Sequence, residues 1–149
     1  MEMVIFIGIQ ATGKSEFYKR NFYRTHIRLN LDMLKTRHRE NIILNACIEA
    51  KQPLVVDNTN LTIEQRVKYI ELAKKNRFKV TGYYFQSKVA DALVRNSERS
   101  EKELVPEVAI LGAFKKMQLP SVSEGFDSLL YVRIDENNEF IIEEFVDEV

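Results

Sequence analysis

The chain has 149 residues, 45% of them apolar and 30% charged, which fits one soluble globular domain and excludes a disordered segment. Lys plus Arg and Asp plus Glu each number 22, so net charge alone points to no partner. The distribution is uneven: from Asp135 onward there are seven acids and no base, leaving a body of 22 bases and 15 acids, net +7, ahead of an acidic tail at about 135–149.

Taken in chain order, Val4–Ile7 is a short, nearly unbroken apolar run ending at Gly8, the pattern of a strand buried on both faces. Lys14–Phe22 reads as helix and His26–Leu29 as a weaker strand. A longer helix is expected over about Asp32–Lys51, with Ile42, Ile43, Ala46 and Ile48 on its apolar face. Cys47, the single cysteine, lies in that stretch; it excludes an internal disulfide and reads as a small apolar residue on the helix. Pro53 opens a strand, Leu54–Val56, that ends at Asp57. Thr62 and Gln65 form a capping-box pair ahead of a helix to about Asn76, with Val67, Ile70 and Ala73 inward.

Phe78–Phe85 is a strand, Lys88–Asn96 a helix, and Pro106 can start another helix to about Lys116. Leu129–Ile134 is a late strand, with Glu139–Phe145 as a possible edge. Strands alternating with helices predict an α/β fold with a mainly parallel sheet and helices on both faces. No apolar run approaches the roughly 20 residues of a membrane span. The apolar start runs into a charged helix with no small-residue cleavage site. A reducing, cytoplasmic location with no membrane partner is expected.

Gly8-Ile9-Gln10-Ala11-Thr12-Gly13-Lys14-Ser15 matches the P-loop pattern without a gap, and it sits between a strand and a helix as that motif requires. Its glycines let successive backbone N–H groups converge on a phosphate, and the helix adds its positive end. Lys14 can reach the β- and γ-phosphates of ATP, and the Ser15 hydroxyl can ligate Mg²⁺. Asp57, at the end of its strand, is placed to hold Mg²⁺ or its water; the plain alternative is a turn residue in Asp57-Asn58-Thr59-Asn60. Asp32 is either the base that takes a proton from an attacking hydroxyl or the N-cap of the long helix. Arg95 and Arg99 share one helix face, as lid cations meeting phosphate charge or as an ordinary solvated face.

Together these motifs resemble the 5′-hydroxyl polynucleotide kinase domains among P-loop phosphotransferases, up to about Ile134. The resemblance rests on Gly8–Ser15, Asn30-x-Asp32, Asp57-Asn58-Thr59-Asn60 with Arg66, Arg95-Asn96-Ser97-x-Arg99 before Val105-Pro106, and Ser123-Glu124-Gly125-Phe126 before a strand. It implies a single kinase domain over 1–149, a three-layer sandwich with a short helical lid at about 95–106. It further implies Asp32 as general base, Arg99 as the transition-state arginine beside Lys14, and Arg95 on the donor phosphates. Asn58, Thr59 and Arg66 then belong with the substrate-binding residues. Where some members carry an acceptor-binding Arg three residues after the base, this chain has Lys35, with Arg37 two further on. The function implied is transfer of the ATP γ-phosphoryl to the 5′-OH end of a nucleic acid. A small-molecule (sugar, nucleoside or antibiotic) kinase of the same fold and a non-enzymatic ATP-binding switch are the alternatives.

Overall fold

A computed structural model describes residues 1–146; Asp147, Glu148 and Val149 of the acidic tail lie outside the described residues. Six strands, β1 (Glu2–Ile7), β2 (Ile27–Leu29), β3 (Leu54–Val56), β4 (Lys79–Phe85), β5 (Ser128–Ile134) and β6 (Phe140–Glu144), form one sheet in the order β2-β3-β1-β4-β5-β6. All pairings are parallel except β5 with β6, where Val132 faces Ile142 in an antiparallel edge. Among the described residues six α-helices accompany the sheet: α1 (Lys14–Asn21), α2 (Leu31–Leu34), α3 (Arg37–Ala50), α4 (Ile63–Lys75), α5 (Val89–Ser97) and α6 (Glu107–Lys116).

Alternation along the strands sorts the core into two layers. Met3, Ile5 and Ile7 of β1 pack with Leu44, Cys47 and Ile48 of α3 and Tyr69, Ile70 and Ala73 of α4. Val4 and Phe6 point the other way, onto Phe17 of α1 and onto Phe22 and Phe85. Phe6 and Phe17 meet edge-on at 5.8 Å between ring centroids. Helices therefore cover both faces. Met3 through Ile7 are all 0% exposed, and at about 1.5–3 kcal/mol per buried large side chain they make β1 a rigid base for the loop at its carboxyl end.

Most expected elements are found within a residue or two, and the Thr62–Gln65 capping box forms with both reciprocal bonds. Val67 is only half-buried, beside fully inward Ile70 and Ala73. The long helix is corrected to two. Lys35 takes φ 75°, which ends α2, and the Thr36 side chain then accepts the Arg39 N–H to start α3. The face of α3 is also shifted: Glu40, Leu44, Cys47 and Ile48 are buried, Ile43 is half-buried, and Ile42 and Ala46 are exposed. This rotation turns a charged residue, Glu40, into the core.

Candidate active site

Parallel strands bring their carboxyl ends to one edge, so Gly8 after β1, Asn30 after β2 and Asp57 after β3 must lie side by side there. The loop after β1 is held from three directions. The Gly8 N–H donates to the Thr59 carbonyl (3.0 Å), the Ile9 N–H to Ser87 Oγ (3.1 Å), and Asn60 Nδ2 to the Phe6 carbonyl (2.7 Å). Inside the loop Thr12 Oγ1 donates to the Ile9 carbonyl (2.8 Å). Ala11 and Gly13 adopt φ 61° and 93°. At Gly13 a Cβ would come within 2.9 Å of Phe140 Cε1, so both conformation and space require glycine. Gly13 caps α1 without a side-chain acceptor, leaving the first amides of that helix directed at the loop's hollow. In the same loop Gln10 Oε1 is buried without a hydrogen-bond partner among the described residues.

Lys14 Nζ donates to the Gly8 and Ile9 carbonyls at 2.9 and 2.6 Å. Burial pushes its pKa down to about 8; Asp57 and Asp32 oppose this shift and Arg99 adds to it. Asp57, Arg99 and Asp32 thus all act on the charge of Lys14.

The segment carrying Asp32 is fastened by two asparagines. Asn30 caps α2 by accepting the Met33 N–H (3.0 Å), and its Nδ2 donates to the Asp57 carbonyl (2.6 Å). Asp32 is thus not the cap; it lies in the first turn, exposed, and among the described residues its carboxylate makes no hydrogen bond or ion pair. Asn58 Oδ1 accepts the Leu31 N–H (2.9 Å), while its Nδ2 donates to Glu40 Oε2 (3.0 Å). Glu40 is 0% exposed, and its Oε1 accepts from Tyr69 Oη (2.5 Å) and Arg37 Nη1 (3.1 Å). Burial first, then the bond to Glu40, holds the Tyr69 phenol above its ordinary range. Lys68 Nζ lies 3.9 Å from Glu40, over the Tyr69 ring.

Several expectations for single residues are revised by these contacts. Asp57 is 2% exposed and bound through Oδ2 to Arg28 Nε (2.8 Å), whose Nη2 donates to Ser15 Oγ (2.9 Å). Ser15 and Asp57 are therefore brought together, with a guanidinium between them. Hydroxyl and carboxylate oxygens that already grip one cation are the donor set a hard divalent ion takes, so they fit Mg²⁺. Asn58 engages both ends of its amide within the protein, bracing the Leu31 N–H against Glu40. Thr59 contributes its carbonyl to Gly8.

Arg66 is corrected most firmly. It is 0% exposed, with Nε and Nη2 on the Glu124 carboxylate (2.8 and 3.1 Å) and Nη1 on the Asn60 carbonyl, and so cannot reach a substrate. Lys35 and Arg37 remain exposed near Asp32, Arg37 steadied by Glu40 and Tyr69.

On the other side of the loop, Arg95 Nη1 reaches the Ala11 carbonyl (3.5 Å), and Arg99 Nη1 donates to the Glu103 carbonyl (3.2 Å). The intervening Asn96, buried, closes the segment by bonding Val105 through both its amide atoms (2.7 and 3.0 Å). No sequence motif marks Arg28, Glu40, Tyr69, Ser87 or the closing role of Asn96. Only Thr36, a cap signal four residues before Glu40, hints at any of them.

A phosphate loop after the central strand, at the carboxyl edge of a mainly parallel sheet with helices on both faces, defines the P-loop kinase-like class of α/β proteins. A family model described as "AAA domain" matches residues 3–120, and the chain belongs to that family. The motif resemblance to polynucleotide kinases is upheld by the bifunctional polynucleotide phosphatase/kinase of Schizosaccharomyces pombe. It is 32% identical over 138 residues, covering 86% of this chain and 32% of the relative. The chain thus spans about a third or less of the curated relatives it matches.

Among solved structures, Chaetomium thermophilum Kti12 in complex with ADP-AlF3 superposes with a TM-score of 0.65 at 16% identity, over 91% of this chain and 92% of that one. A gluconokinase from Sinorhizobium meliloti superposes with a TM-score of 0.63 at 14% identity, over 87% and 82%. These two likenesses speak to fold alone.

Proposed function

We propose that the chain is an ATP-dependent kinase that transfers the γ-phosphoryl group to a hydroxyl, with the 5′-OH end of a polynucleotide as acceptor. The observation that carries this reading is the exposed Asp32 carboxylate, without a protein partner among the described residues, within electrostatic reach of the loop lysine. An ATP-binding switch has no use for such a group.

The loop amides, Lys14 and Arg95 bind and orient the donor phosphates. Asp32 accepts the acceptor's proton as the new O–P bond forms on the γ-phosphorus and the bond to the bridging oxygen breaks, while Lys14 and Arg99 meet the charge on the transferred group. Ser15 and Asp57 would hold Mg²⁺, which when bound supplies neutralisation of phosphate charge. Residues 95–106 act as the lid, and the chain works as one kinase domain. A polyanionic acceptor is supported by the net +7 of residues 1–134 and by Lys35, Arg37, His38 and Arg39, all exposed in the segment that follows Asp32. The S. pombe relative's name supports the same acceptor. A lone cysteine, buried in the core, suits a cytoplasmic setting. Among the described residues no helix is long and apolar enough to cross a membrane.

The test is incubation with γ-labelled ATP, a 5′-OH oligonucleotide, a 5′-phosphorylated control and a panel of sugars and nucleosides. Label on the 5′-OH oligonucleotide alone is expected. Label on a small alcohol would move the assignment to a small-molecule kinase, and no transfer to any acceptor would leave the switch.

A further inference from the structure

Arg28 comes from the edge strand β2, outside every motif that marks the site, yet its guanidinium joins two of the site's oxygen ligands. Nε is bound to Asp57 Oδ2 at 2.8 Å and Nη2 to Ser15 Oγ at 2.9 Å, and the group stacks over the Tyr18 ring at 5.8 Å. Its side chain is 25% exposed and that of Asp57 2%, so the pair is largely removed from water, where a charge-assisted bond is strong and directional. Arginine keeps its charge at any ordinary pH and has no acceptor, so the guanidinium cannot become a metal ligand itself. A divalent ion drawing on the same two oxygens would meet a positive charge within bonding distance of both.

We propose that Arg28 is a built-in counter-cation of the metal site: it occupies Ser15 and Asp57 in exchange with Mg²⁺, and so sets how much Mg²⁺ nucleotide binding requires. This rests on the nucleotide-binding reading of the loop, but not on the identity of the acceptor. Without metal, Arg28 offsets the Asp57 charge that would repel a triphosphate. With metal, Ser15 Oγ and Asp57 would turn from Arg28 to the ion, freeing the guanidinium. Such a residue sets the metal threshold rather than the chemistry.

The test is binding of a fluorescent ATP analogue to the wild type, Arg28→Gln and Arg28→Lys, in EDTA and across a Mg²⁺ titration. For Arg28→Gln, affinity in EDTA should fall about tenfold, and the Mg²⁺ concentration giving half-maximal binding should also fall about tenfold. Arg28→Lys should stay near the wild type in both. A merely structural arginine would weaken binding equally with and without metal, and an unchanged Mg²⁺ midpoint in Arg28→Gln overturns the proposal.

Should that variant not fold, the wild type answers alone. The ¹⁵Nε signal of Arg28 should move when Mg²⁺ joins a non-hydrolysable ATP analogue and stay in place when the analogue is added in EDTA. A signal indifferent to Mg²⁺ contradicts the exchange. A wild type that binds no nucleotide under any condition removes the phosphate-loop reading, and this inference with it.

Discussion

Replacing the wholly buried Glu40 with Ala should be among the most damaging single changes in this protein. Its carboxylate is 0% exposed and gathers Tyr69 Oη, Arg37 Nη1 and Asn58 Nδ2 within 3.1 Å, with Lys68 Nζ at 3.9 Å. Alanine leaves two of these donors without their acceptor: the hydroxyl of Tyr69, a residue only 1% exposed, and the amide of half-buried Asn58. Each should cost about 1–3 kcal/mol. Arg37 and Lys68 are 50% and 47% exposed, so water replaces Glu40 for them and they add little. The sum, about 4 kcal/mol, matches the roughly 3–5 kcal/mol seen when one partner of a buried charged network is removed. Against a typical stability of about 5–15 kcal/mol it leaves a marginal fold.

Glu40→Gln separates stability from function. Its Oε1 still accepts from Tyr69, but its Nε2 opposes Asn58 Nδ2; relief by an Asn58 flip surrenders the Leu31 N–H and loosens the Asp32 turn. A loss of about 2 kcal/mol together with a fall in kcat at nearly constant nucleotide affinity is expected. Urea unfolding with unchanged slope measures the first, and labelled transfer the second. An Ala variant that loses less than 1 kcal/mol would refute the reasoning.

Arg66→Ala should destabilise by about 3–5 kcal/mol, because it leaves the Glu124 carboxylate nearly buried and unpaired, without altering the apparent acceptor KM. Denaturation and steady-state kinetics on one sample check both halves. For Lys14, the folded value of about 8 lies below the roughly 10.4 of an unfolded lysine. The unfolded chain therefore binds more protons between those values, and this group's contribution to stability rises with pH across that window. Nucleotide affinity should move oppositely, weakening as pH rises through about 8, and Lys14→Met should abolish that step in a binding titration.

The phosphate loop was legible because its chemistry is local: eight consecutive residues carry the turn, the cation and the hydroxyl. Strands β1 and β3 were legible as buried apolar runs, and α4 through its capping box. The turn at Lys35 was not, since a positive φ at a lysine leaves no mark in composition; Thr36 was the available clue. Reading 32–51 as one unbroken helix left Glu40 hidden among the charges of Arg37-His38-Arg39-Glu40. Arg66 and Arg28 share another difficulty. Their partners, Glu124 and Asp57, are 58 and 29 residues away, so only the folded sheet shows which arginine is spent on the core and which faces the site.

The most direct measurement pairs nucleotide affinity with phosphoryl transfer in Asp32→Asn. Removing the proton acceptor while preserving shape should leave affinity for the ATP analogue within about threefold of the wild type and reduce transfer to a 5′-OH oligonucleotide by about 10²–10⁴-fold. Transfer undiminished in that variant would contradict Asp32 as the base.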